Sequence, residues 1–341
     1  MSLGTIGVLI LWALVFIYAM TGSIDFGAGF WAMVYMREKD AQAAIVANRY
    51  LSPLWEVTNV FLVLFAVALV GLFPEAAYVY GSLLLVPGSL ILILLSLRTV
   101  MLVYVHVVNR FRLALRVMSG ITGILIPALL VTVLPLSEGG MASRIGDKWL
   151  LDFRVLFGSW TVYLFMLLAI ISELFVSAVF LSDYARISGD DHAHSQYRKN
   201  ALRVGPLVFL AALLIPLTMR ANDRWLQVGL ATQSPWFITS GVLFLAAMYL
   251  LAAANRARKG RVRLAAIAVT FQYLFAIWAY GRAHYPYLLY PELTVHNSFT
   301  DPTMFKNAMI VLIAGIAILF PGFVWFWRLF LSRRAFFQSG T

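Results

Sequence analysis

The feature that most constrains this chain is a succession of apolar runs, each long enough to cross a bilayer as a helix. About 20 apolar residues cover roughly 30 Å of hydrocarbon at about 1.5 Å per residue. Nine segments reach that length: approximately 6–36, 51–72, 78–105, 113–135, 154–183, 201–219, 236–254, 263–281 and 305–331. Hydrocarbon offers no water to backbone N–H and C=O groups, so such runs must bond within themselves as helices. The expected fold class is therefore an all-α membrane protein with about nine transmembrane helices. Composition agrees: 62% of residues are hydrophobic and 12% charged, against about 45–50% and about 25% in soluble domains.

The net charge of +11 would suggest nucleic-acid binding in a soluble protein. Here the basic residues sit in short loops between apolar runs, which is a topology signal, so no nucleic-acid partner is expected. Loops following odd-numbered runs, with the C-terminal end, hold eighteen Lys and Arg; the opposite side holds seven, and Arg98 falls inside a run. The positive-inside rule then places the N-terminus outside and the C-terminus in the cytoplasm. The ten tryptophans lie near predicted span ends, as an aromatic belt requires. The first Lys or Arg is Arg37, so the first run lacks the basic leader of a cleaved signal peptide and is expected to remain as a helix. With no cysteine, disulfides, thiolate metal sites and thiol nucleophiles are excluded.

A weak internal repeat organises the chain. Aligning Trp12 with Trp160 brings Asp25 onto Glu173 and Gly29 onto Ser177, while Pro53 and Pro206 open the following helices. The expected organisation is one four-helix bundle over 1–136, a second over 153–282, and a ninth transmembrane helix at 303–332.

Four ionisable residues fall inside predicted spans: Asp25, Glu56, Arg98 and Glu173. A charge at the bilayer centre costs at least about 2.5–3.5 kcal/mol, so such groups pair, exchange protons or face protein interior. Asp25 and Glu173 fall near the midplane by residue count. Two readings stay open for them: they hydrogen-bond neighbouring helices and hold the bundle together, or they carry protons. Asp25, Glu56 and Glu173 are the proton-path candidates. The glycines around Asp25 in SIDFGAGF (residues 23–30) permit close helix approach. Glu56 and Arg98 fall at matching depth on helices joined by a short turn. They are therefore candidates for an ion pair, the alternatives being that Arg98 faces a group on a partner or snorkels to the surface.

The five histidines, His106, His192, His194, His284 and His296, fall in loops or at helix ends and are read as solvated. Met20, Met101, Met166 and Met248 lie inside spans as core filler. No axial heme ligand, metal site or catalytic residue is thus expected in this chain. Phosphate-loop, zinc-protease and nucleophile-elbow motifs are also missing from the sequence.

The run S-I-D-F-G-A-G on an N-out helix, then P-L-W-E at residues 53–56 and S-L-R at 96–98, resembles subunit II of cytochrome bd-type quinol oxidases. The family's helix 1 pattern is close to G-F-D-x-G, and Ser23 replaces its first glycine. Its helix 2 pattern in many members is W-D-G-N-Q, against Trp55-Glu56-Val57-Thr58-Asn59 here. The resemblance implies a complex that oxidises membrane quinol and reduces dioxygen to water. Heme b and heme d would lie in the partner, subunit I, and this chain would bind none. A small single-helix third subunit and membrane lipids are further implied partners, and a quinone is admitted as a ligand. Arg98 would then serve the heme region of the partner or an ion pair. The competing class is a proton-coupled secondary transporter, which also uses repeated bundles and midplane acids.

Overall fold

The computed structural model describes residues 2–36, 41–107, 112–146, 148–219, 223–253 and 261–332. Thirteen helices and two small hairpins are found among them: α1 (Leu3–Val34), α2 (Ala41–Leu72), α3 (Pro74–Leu83), α4 (Leu85–Val107), α5 (Arg112–Leu130), α6 (Val133–Ser137), β1 (Ala142–Ile145), β2 (Lys148–Leu151), α7 (Phe153–Phe157), α8 (Trp160–Ile187), α9 (Asp191–Thr218), α10 (Arg224–Thr232), α11 (Ser234–Ala252), α12 (Arg261–His284), β3 (Tyr287–Leu289), β4 (Leu293–Thr294) and α13 (Pro302–Ser332). Each hairpin is an antiparallel pair, β1 with β2 and β3 with β4. Of the basic residues counted for topology, Arg37, Lys39, Arg110, Arg220, Arg256, Arg258, Lys259, Arg333 and Arg334 lie outside the described residues.

Among the described residues eight helical spans are long and apolar enough to cross a membrane, and Pro302–Ile318 is a shorter apolar helix within α13. The fold class is as the apolar runs predict. Two details differ. The third run, expected as one helix over 78–105, is split at Leu84 into α3 and α4. Pro87 lacks the N–H that would continue the α3 ladder, and it fits the first turn of a new helix, where that N–H has no partner to lose. Pro74 does the same at the first position of α3, so the predicted loop before residue 78 is already helical. The second difference is in the connections, which contain α6, α7, α10 and both hairpins. These elements are too short to register as apolar runs.

Helices α1 and α8 form the centre. Helix α1 packs on α2, α5, α8 and α12, while α8 packs on α9 and α12; α4 rests on α5, and α13 on α2. The cause is compositional: α1 carries glycine at positions 4, 7, 22, 27 and 29, and small residues let helices approach where lipid gives no hydrophobic incentive to associate. Trp31 stacks on Tyr35 at 6.0 Å, and Tyr197 meets both rings edge-on. Tyr197 donates to the Ala43 carbonyl (2.6 Å), and Asn200 Nδ2 donates to the Tyr35 hydroxyl (2.5 Å). This aromatic knot ties α1, the start of α2, and α9.

Asp301 caps α13. Its Oδ1 accepts from the backbone N–H of Met304 (3.0 Å) and Thr303 (2.8 Å), and these bonds hold its carboxyl below the ordinary carboxylate range. A depressed folded pKa stabilises the cap above the unfolded value and withdraws that support as pH falls through the folded one. Acidification is therefore expected to speed amide exchange in the first turn of α13. Asp301→Ala should show that faster exchange already at neutral pH. Equal exchange in both proteins across pH would refute the cap's role.

Candidate functional site

The Arg98 guanidinium is buried and held by several helices. It projects from α4 into the junction of α1 and α5, where Arg98 and Asp25 are each 2% exposed. Nη2 donates to the Asp25 carboxylate Oδ1 (3.2 Å) and to the Asp25 carbonyl (2.9 Å). Nη1 donates to the Ser119 carbonyl of α5 (2.7 Å). The face of the guanidinium lies 5.0 Å from the Phe26 ring centroid. Each of these contacts suits a planar, permanently charged fork.

Two glycines make the slot. A Cβ at Gly29 would lie 2.9 Å from Arg98 Nη1, and one at Gly123 would lie 3.1 Å from the same atom and 2.8 Å from the Phe26 carbonyl. The glycines in the SIDFGAGF run therefore admit a cation beside the acid as well as a neighbouring helix.

Glu173 lies on α8, across the α1 contact from Asp25, and is 1% exposed. Neither carboxyl oxygen has a hydrogen-bond partner among the described residues. Arg98 and Asp25 both act on it electrostatically. The helices meet one turn away. Trp31 Nε1 donates to the Ser177 hydroxyl (3.0 Å), which donates in turn to the Glu173 carbonyl (2.6 Å). A Cβ on Gly27 would sit 2.5 Å from the Ser177 Cβ.

Three of the four sequence candidates thus share one region, and the fourth does not. Glu56 is exposed on α2 and makes no ion pair among the described residues. The expected Glu56–Arg98 pair is replaced by Asp25–Arg98, and Arg98 does not snorkel. Counting residues along the helices left the rotation of α2 undetermined. It also ignored the reach of an arginine side chain.

The histidines need a correction as well. His192 and His296 are exposed as expected, and the side chain of His106 lies outside the described residues. His194 is half-buried, its Nδ1 at 3.0 Å from the Ser182 hydroxyl. His284 is buried at the end of α12 between Trp225 (5.2 Å) and Tyr280 (5.8 Å). Tyr280 donates to the buried carboxylate of Glu138 (3.3 Å). Sequence reading missed this cluster because both ionisable residues sit in or beside polar connections. The connection folds back over them: Tyr290 N–H donates to the Ser137 carbonyl and its ring stacks on Trp225.

Residues 3–330 match the family described as cytochrome bd terminal oxidase subunit II. A protein of Bacillus subtilis (strain 168) that carries the name cytochrome bd menaquinol oxidase subunit II is 41% identical over 337 residues, covering 98% of this chain and 97% of that one. The structure of bd oxidase from Geobacillus thermodenitrificans contains a chain with 39% identity and a TM-score of 0.83, matched over 98% of this chain and 100% of that one. A fold match at that identity, with the family match spanning nearly the whole chain, sets the transporter reading aside: the chain belongs to the cytochrome bd terminal oxidase subunit II family.

Proposed function

We propose that this chain is the heme-free subunit of the oxidase, and that it supplies protons to the partner through the Asp25–Arg98–Glu173 region. The observation that carries the reading is the buried Asp25–Arg98 pair with a second buried carboxyl beside it. Such groups are costly in a membrane and are used for ion or proton traffic. Heme b and heme d would be held by subunit I in this reading and would supply the electron transfer from quinol to dioxygen. The name of the Bacillus subtilis relative favours menaquinol as the donor.

Among the described residues the donor set does not suit heme. His194 is held by Ser182, and His284 is covered by Trp225 and Tyr280. Met20 is core packing, and Met248 packs against the same core. What the chain's own residues do is hold and move protons. Arg98 keeps a fixed positive charge beside Asp25, so a proton arriving there alters a balanced pair instead of a lone buried charge. Glu56 is exposed on α2, followed along the same side of the helix by the exposed Val60 and Val63. A carboxyl facing lipid at that level is unfavourable, so we place subunit I against the α2–α4 face. In this reading residues 1–136 and 153–282 form the two four-helix bundles, 303–332 supplies the ninth helix, the C-terminus is cytoplasmic, and a small third subunit and lipids complete the complex.

The test is Asp25→Asn in the intact complex. Asparagine keeps an acceptor for Arg98, and the Asp25 and Ser119 carbonyls still bind the guanidinium, but the side chain cannot carry a proton. Assembly and heme content should persist while dioxygen reduction slows by about a hundredfold, the lower end of what a general acid or base contributes. Unchanged turnover with unchanged proton uptake would leave Asp25 a packing role only.

A further inference from the structure

Helices α9 and α11 run antiparallel, and the start of one lies beside the end of the other: Arg198 Nη1 donates to the Leu251 carbonyl (3.1 Å). Further along, a Cβ at Gly205 would lie 2.6 Å from Met248 Sδ, and the rings of Phe209 and Phe244 stack at 5.5 Å. One residue on is a turn of about 100°, and in antiparallel helices that step carries both chains to the same side of their contact. The residues one step on from these contacts are Lys199, Pro206 and Leu210 on α9, and Leu245, Tyr249 and Ala252 on α11. All six are exposed, so they form the walls of an open furrow. Gly241 lies one turn before Leu245, and a Cβ there would meet nothing within 4 Å.

Lys199 and Arg203 stand one turn apart at the mouth of this furrow, both exposed, and neither makes an ion pair among the described residues. Beyond Arg203 the same side of α9 continues as the exposed Leu207, Leu210, Leu214 and Leu217. From Leu207 to Leu217 is about 15 Å, half of a hydrocarbon core of about 30 Å. The end of α11 would repel an anion, because a helix C-terminus carries partial negative charge. Here two other arginines cover it: Arg198 donates to the Leu251 carbonyl and Arg261 to the Ala253 carbonyl (3.1 Å). Lys199 and Arg203 are left over. The contrast with α2 identifies what they meet: its exposed side is headed by an acid, Glu56, and continues in valine, whereas that of α9 is headed by two cations and continues in leucine. Basic side chains at the membrane boundary attract anionic lipid. We propose that the α9–α11 furrow binds one anionic phospholipid, its phosphate on Lys199 and Arg203 and an acyl chain lying past Leu210, Leu245 and Gly241.

The experiment titrates the whole complex, purified in neutral detergent, with phosphatidylglycerol or with phosphatidylcholine. Native mass spectrometry counts bound lipid, and the thermal midpoint follows its effect. Phosphatidylglycerol is expected to stay bound and to raise the midpoint, as any ligand of the folded state does; phosphatidylcholine should do neither. Lys199→Gln/Arg203→Gln should bind phosphatidylglycerol about thirtyfold more weakly, the share of two cations near a membrane surface. Gly241→Leu keeps both cations and extends into open space, so it should fold normally and still lose bound phosphatidylglycerol, because its side chain occupies the path of the acyl chain. Heme content and the midpoint without added lipid report whether each variant is intact. Equal binding of the two lipids by the unmodified complex overturns the proposal. So does undiminished phosphatidylglycerol binding in either intact variant. A polypeptide that leaves the complex in Lys199→Gln/Arg203→Gln while bound phosphatidylglycerol is unchanged would overturn it too, by showing that the face takes protein instead of lipid.

Discussion

Arg98→Leu is expected to abolish accumulation of the complex. The substitution removes the cation from a slot in which Asp25 is 2% exposed and leaves its carboxylate without a counterion. Removing one partner of a buried pair costs about 3–5 kcal/mol, a large share of a total stability of about 5–15 kcal/mol. The Ser119 carbonyl loses its donor at 2.7 Å at the same time. Arg98→Lys should rescue only in part. An ammonium keeps the charge but not the fork that bonds Asp25 and Ser119 together. The double variant Arg98→Leu/Asp25→Leu should assemble better than Arg98→Leu alone, because replacing both partners with apolar groups avoids the orphaned charge. Membrane yield and thermal midpoint of the purified complex measure all three. An Arg98→Leu complex with wild-type yield and midpoint would show that the pair does not hold α1, α4 and α5 together.

Much of this architecture is legible in the sequence, because the bilayer reduces folding to a question of length and polarity. Helix α11 lies almost where its apolar run predicts, and so does α12. What hydropathy cannot read is a break inside an apolar stretch. Leu84, between α3 and α4, is as apolar as its neighbours, and only Pro87 hints at the split. Nor does depth give azimuth. Residue counting put Glu56 and Arg98 at one level, but an α-helix turns about 100° per residue, so the side that Glu56 presents was undetermined. Arg98 reached Asp25 on a helix more distant in sequence, because a long side chain covers the difference in depth and Gly29 and Gly123 leave it room. His284 and Glu138 were missed for a related reason: a polar connection reads as solvated until it folds back over its own helices. The glycines of α1 were legible as permitting close approach, though not which partner each would meet.

The second large effect is expected at the α1–α8 crossing. Gly27→Ala places a methyl group 2.5 Å from the Ser177 Cβ and against its hydroxyl. Real carbon atoms do not approach so closely, and the other neighbour is the Glu173 carbonyl oxygen at 3.0 Å, part of a helix backbone that cannot rotate aside. The helices must therefore separate, which loosens the knot of Trp31, Tyr35 and Tyr197 and disturbs both buried acids. Overpacking of this kind costs about 1–3 kcal/mol. Ser177→Gly removes the obstructing atoms but leaves the Trp31 indole N–H without its acceptor at 3.0 Å, a loss of about 1–3 kcal/mol for a buried donor. The two substitutions act on one contact, so they should not add. In Gly27→Ala/Ser177→Gly the new methyl fills space vacated by the serine, and the double variant should be more stable than the sum of the singles predicts by about 0.5–3 kcal/mol. Thermal midpoints of the four complexes complete the cycle. Strict additivity would mean that the helices do not meet at Gly27 and Ser177, and the shared environment argued for Asp25 and Glu173 would lose its geometric basis.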